Sequence, residues 1–144
     1  MKYLLDTCTL SEYVKKKPNP TVIDWLDNQD EDKLFISIIT IAELRKGITK
    51  LRRSNPNRHQ KLNNWLTILE ARFIDRILPL DKNILELWAT TCGESEAKGK
   101  KLPIIDSLIA STATYHRLTI ITRNINDFKL CSPEISIFNP WPEE

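Results

Sequence analysis

The stretch PIIDSLIASTATYHRLTIITRNINDF, residues 103–128, decides how the fold is read. After Pro103 the pattern Ile-Ile-x-x-Leu-Ile-Ala predicts a helix over 104–116, with Asp106 in its first turn. Thr119–Thr122 then forms a short β-branched run that predicts a buried strand. The polar segment after that strand carries Asp127.

The same alternation extends outward in both directions. Short apolar runs at Lys2–Leu5, Leu34–Ile38, Ile77–Leu78 and Ile135–Phe138 read as further strands. Helical spacing is found over Leu10–Lys16, Thr21–Asp27, Ile41–Leu51, Arg58–Phe73 and Lys82–Lys98. Thr40 is the expected N-cap of the third of these helices, with Glu43 at N3 in a capping-box spacing. Ser54-Asn55-Pro56-Asn57 is expected to be a loop. Strands alternating with helices predict a three-layer α/β/α sandwich with a mostly parallel central sheet, built as one domain over residues 1–144.

The bulk properties agree with a globular domain: 41% hydrophobic and 28% charged residues, with a net charge of +2. So small a charge means that any nucleic acid is held by local patches. The three glycines, Gly47, Gly93 and Gly99, stand alone, which argues against a phosphate-cradling loop. Cys8, Cys92 and Cys131 include no CxxC pair and predict reduced thiols in a cytoplasmic protein. No run is long and apolar enough for a membrane span, and the N-terminus is too short and polar for a signal peptide.

In an open α/β sheet, ligands bind beyond the carboxyl ends of the strands. Asp6 ends the first strand, Glu43 follows the second, Asp106 opens the helix after Pro103, and Asp127 follows the Thr119–Thr122 strand. Each acid alone reads most simply as a helix cap. Together, at one sheet edge and with no fixed basic partner nearby in sequence, they would repel one another without a cation. Oxygen ligands with no clustered His or Cys point to a hard ion, Mg²⁺ or Mn²⁺, and to phosphoryl chemistry. Whether one ion or two would bind is left open.

Four segments carry a family resemblance: Tyr3–Thr7 followed by Leu10–Glu12, Ile41–Gly47, Pro103–Ala113 and Thr122–Phe128. In this order and spacing the chain resembles a PIN-domain nuclease, specifically a VapC-type toxin of a bacterial toxin–antitoxin pair. The resemblance implies that Asp6, Glu43, Asp106 and Asp127 are catalytic, metal-binding acids, with Thr122 and Asn124 as polar neighbours. It further implies an Mg²⁺- or Mn²⁺-dependent endoribonuclease acting on structured RNA such as transfer RNA. A homodimer is implied, with a cognate antitoxin that blocks the cleft and carries the toxin into a larger assembly on DNA. Many relatives have Asn two residues after the first acid, where this chain has Cys8.

Two basic stretches are candidates for phosphate contact: one with Arg52 and Arg53 beyond Glu43, the other with Lys100 and Lys101 before Asp106. Arg45, Lys46 and Arg123 lie closer to the acids in sequence. Two other readings compete. An aspartyl phosphatase would want a second Asp two residues after Asp6, where Cys8 stands. A catalytically idle binding module regulating a DNA-bound antitoxin would carry the same fold with a silent acidic cleft.

Overall fold

The first strand, β1 (Tyr3–Leu5), is the centre of a five-stranded sheet in the computed structural model, which describes residues 1–143. The strand order is β3-β2-β1-β4-β5, with β2 at Leu34–Ser37, β3 at Ile77–Leu78, β4 at Thr119–Ile121 and β5 at Ile137–Phe138. All four pairings are parallel, so the expected mostly parallel sheet is wholly so among the described residues. The helices are α1 (Thr7–Ser11), α2 (Pro20–Asp27), α3 (Ile38–Thr49), α4 (Leu51–Ser54), α5 (Pro56–Arg72), α6 (Lys82–Ala97), α7 (Ile104–His116) and α8 (Ile125–Cys131).

Side chains alternate across a strand, and here the alternation splits the core in two. Leu5, Ile36 and Ile121 pack with Val22, Leu44 and Leu66 on the α2–α3–α5 side. Leu4 and Ile120 pack with Ile109, Ala113 and Phe128 on the α7–α8 side. Leu4, Leu5, Ile36, Ile120 and Ile121 are each at most 1% exposed. Burying such a side chain contributes about 1.5–3 kcal/mol, so the two faces hold the sheet between its helical layers.

The chain winds outward from β1 through β2 to β3, then returns to lay β4 on the other side of β1. The strand order therefore reverses between β1 and β4, where the crevice beyond the carboxyl ends opens. A tight reversal feeds β4: Arg117 adopts a left-handed conformation (φ 56°) and Leu118 N–H donates to Ala113 C=O at 2.8 Å.

Several boundaries differ from the sequence reading. β2 ends at Ser37, whose side chain accepts from Ile39 N–H at 3.2 Å and caps α3. Thr40 is therefore inside the helix, and Glu43 lies in its second turn instead of at N3. The expected loop at 54–57 contracts to a junction. Asn55 caps α5 by accepting from Arg58 N–H at 3.2 Å, and Pro56 takes the first helical position, where a missing N–H costs nothing.

Candidate functional site

Asp6 occupies the crevice at the point of strand reversal. Its backbone N–H extends the β1–β4 pairing to Ile121 C=O at 3.1 Å, and its side chain caps α1 by accepting from Thr7 N–H at 2.8 Å. The other carboxylate oxygen accepts from the Thr122 hydroxyl at 2.8 Å. Asp6 is 5% exposed and Thr122 is fully buried, so the hydroxyl fixes a carboxylate with little help from water. Thr122 in turn accepts from Asn124 N–H at 3.0 Å. The contact made by Asn124 is thus through its backbone; its side chain, at the N-terminus of α8, makes no cap.

Cys8 sits beside this pair. Its thiol lies 3.5 Å from Asp6 Oδ2, toward which it donates, and 3.5 Å from Thr122 Oγ1. Burial, followed by the charge of Asp6, pushes the thiol up from its ordinary range and keeps it protonated. Cys8 therefore supplies a weak donor to Asp6, so the position is not lost to the site.

Glu43, half-buried on α3, accepts from the Thr7 hydroxyl at 3.0 Å. Thr7 thus ties the second acid to the element that Asp6 caps. Nothing but its place directly after Asp6 marked it in the sequence. Asp106 is in the first turn of α7 and Asp127 in the first turn of α8, and neither side chain caps its helix. Asp127 stands in a regular helix, where the sequence showed only a polar segment. Phe128 and Cys131, buried against the α7 layer, hold that short helix in place.

Electrostatics shows that the four acids share one neighbourhood. Asp106 is raised from 3.8 to about 6, first by burial and then by the charges of Asp6, Asp127 and Glu43. Among the described residues, none of the four is in an ion pair with a protein cation. No three acidic, His or Cys side chains among the described residues converge tightly enough to make a ready-formed metal cage. An open, all-oxygen, mutually repelling set fits a hard divalent cation that keeps several waters and binds through one or two carboxylates.

A stability measurement follows from the raised Asp106. The folded state holds this proton more tightly than the unfolded chain, so its contribution to stability falls as pH rises from about 4 to about 6 and is then constant. In metal-free protein at pH 7, Asp106→Asn is expected to raise stability by on the order of 1 kcal/mol, after discounting for solvent near a partly exposed group. Thermal unfolding in chelator from pH 4 to 8 checks this. A variant less stable than wild type at pH 7 would contradict it.

The basic residues divide. Arg45 is engaged elsewhere, donating to Asn63 Oδ1 at 3.0 Å and pairing with Glu70 at 3.1 Å across α3 and α5. Lys46, Arg52, Arg53, Lys100 and Lys101 are exposed and available to solvent. Arg123 is exposed at the rim of the crevice. Glu12, given no role by the sequence reading, is 2% exposed. It accepts from Asn19 N–H at 2.7 Å and lies 3.0 Å from Lys15 Nζ, an ion pair without an aligned hydrogen bond. Burial raises this carboxyl, but Lys15, the Asn19 N–H and the charge of Arg123 outweigh it, so the acid stays below its usual range. It anchors the turn between α1 and α2. A cavity of about 560 Å³ between α2 and α5, walled by Leu10, Leu26, Trp65 and Leu69, contains none of the four acids.

A PIN domain family model matches residues 3–130. "Toxin FitB" of Neisseria gonorrhoeae is 34% identical over 140 residues, covering 96% of this chain and 97% of the relative. "VapC ribonuclease Y4jK" of Sinorhizobium fredii is 32% identical over 140 residues, covering 96% of each. The solved "Structure of FitAB bound to IR36 DNA fragment" superposes with a TM-score of 0.81 at 33% identity, covering 99% of this chain and 97% of that one.

Proposed function

The chain belongs to the PIN domain family, and from that premise we propose that it is a divalent-metal-dependent endoribonuclease, the toxin of a toxin–antitoxin pair. The observation that carries the reading is that Asp6, Glu43 and Asp127 lie near enough to Asp106 for their charges to raise it, while among the described residues none of the four acids is paired with a protein cation. The relatives named for ribonuclease and toxin activity cover nearly the whole chain, which supports the same activity here.

In this reading the four acids hold Mg²⁺ or Mn²⁺. A bound ion of this kind neutralises charge on a scissile phosphate and makes a nearby water more acidic. The chain's own residues set the geometry. Thr122 and Cys8 hold Asp6 from one side and the α1 N–H from the other, while Thr7 holds Glu43. Lys46, Arg52, Arg53, Lys100, Lys101 and Arg123 take the phosphates on either side. Arg45 is left to bind α3 to α5 unless substrate displaces Glu70.

The substrate is structured RNA such as transfer RNA, and the partner is an antitoxin protein that covers the cleft and links the toxin to DNA. Solved relatives in DNA-bound complexes support that assembly. The protein works as a homodimer of single 1–144 domains in the cytoplasm. Among the described residues no helix is long and apolar enough to cross a membrane.

The test is direct. Purified protein with Mg²⁺ or Mn²⁺ is expected to cut transfer RNA internally, and chelator to stop the cutting. RNA left intact with both metals, across several structured RNAs, would overturn the nuclease reading.

A further inference from the structure

We propose that Trp141 is a positioning residue for RNA binding: its indole face holds the Arg123 guanidinium at the rim of the acid-lined crevice, where the guanidinium receives a substrate phosphate. This inference rests on the ribonuclease reading above and assigns a specific task to the C-terminal segment.

The segment is anchored to the site through the sheet. Thr122, which holds Asp6, donates its N–H to Phe138 C=O at 3.1 Å and so aligns the end of β4 with the end of β5. The chain then runs Asn139-Pro140-Trp141-Pro142. A proline on each side of Trp141 restricts the backbone, and Trp141 N–H donates to Asn139 Oδ1 at 2.9 Å. Trp141 is half-buried, packed on the same core as Leu5 and Ile121. Its position is therefore set by the fold and does not depend on ligand.

Arg123 lies over this ring, with its Cζ 5.0 Å from the ring centroid. It directly follows Thr122, whose hydroxyl donates to Asp6, so its backbone starts one residue from the site. The other arginines with side-chain partners are committed: Arg45 to Glu70, Arg72 and Arg76 to Glu31, and Arg58 to Val14 C=O at 2.8 Å. Among the described residues, no carboxylate lies at ion-pair distance from Arg123, although its charge reaches Glu12 and helps to hold that acid low. A guanidinium held over an aromatic ring has no carboxylate occupying its N–H groups, and those groups match two oxygens of a phosphate. The aromatic face orients the fork without neutralising it, as a carboxylate partner would.

The experiment measures transfer RNA affinity in chelator at several salt concentrations, and KM and kcat with Mg²⁺, for wild type, Arg123→Ala, Trp141→Leu, Trp141→Phe and the Arg123→Ala/Trp141→Leu double variant. Leucine keeps apolar packing and removes the π face, and thermal unfolding confirms that each variant folds. Arg123→Ala is expected to weaken binding about tenfold and to lower the salt slope by about one. Trp141→Leu is expected to raise KM about threefold with kcat kept, Trp141→Phe to restore it, and the double variant to match Arg123→Ala. An unchanged salt slope in Arg123→Ala, or an equal penalty from Trp141→Leu with and without Arg123, would overturn the proposal while wild-type cutting leaves the ribonuclease reading standing. Wild-type protein that neither binds nor cuts RNA would overturn both.

Discussion

Asp6→Asn is expected to abolish RNA cleavage, by about a thousandfold or more, while the protein keeps its fold. Asparagine caps a helix as well as aspartate does, so the bond to Thr7 N–H and the start of α1 survive. What is lost is the negative charge at the strand-reversal crevice, in the acid that is most deeply buried and most completely held. Cleavage rate and circular dichroism, read together, separate the two roles of this residue. Activity within about tenfold of wild type would reduce Asp6 to a helix cap and favour the idle binding module weighed from the sequence.

The second large effect belongs to a residue that bears no charge. Thr122→Val keeps shape and volume but removes the hydroxyl that donates to Asp6 Oδ2 and accepts from Asn124 N–H. The buried Asp6 carboxylate and the part-buried Asn124 N–H each lose a partner, which costs about 1–3 kcal/mol of stability. Groups that orient a metal-binding side chain typically change metal affinity or activity by about 10–100-fold. Thr122→Val is accordingly expected to lower the denaturation midpoint and to cut cleavage by about that factor at limiting Mg²⁺. Thr122→Ser should recover most of both. A variant that loses stability but keeps full activity would mean that Asp6 needs no such support.

The fold and the places of the four acids along it were legible in the sequence because both depend on local pattern. Short β-branched runs and helical stripes mark a parallel sheet, and an acid at the end of such a run falls at the carboxyl edge whatever the side chains around it do. The cap of α3 was misplaced because Ser37 and Thr40 are both hydroxyl residues that suit an N-cap. The strand ends at Ser37, which settles the choice only in three dimensions. The helix that carries Asp127 was missed because seven residues hold too little periodicity to announce it, and it is the burial of Phe128 and Cys131 that shapes α8.

Contacts between distant segments were invisible for a simpler reason. Thr7 meets Glu43 across 36 positions and Arg45 meets Glu70 across 25, and no local pattern encodes either. The same holds for Trp141, an aromatic residue in a proline-flanked tail until β5 delivers it to Arg123. Cys8 departs from the Asn that the resemblance led one to expect, yet its thiol still points a donor at Asp6.

The central claim is that the crevice between β1 and β4 binds the ion on which cleavage depends. Titration of metal-free protein with Mn²⁺ tests it most directly, comparing wild type with Asp6→Asn and Asp106→Asn under conditions where RNA cleavage is also scored. The account predicts saturable binding to wild type, loss or severe weakening in both variants, and cleavage that appears in step with occupancy. Equal Mn²⁺ binding by all three proteins, or RNA cleavage by wild type in chelator with no metal bound, would contradict it.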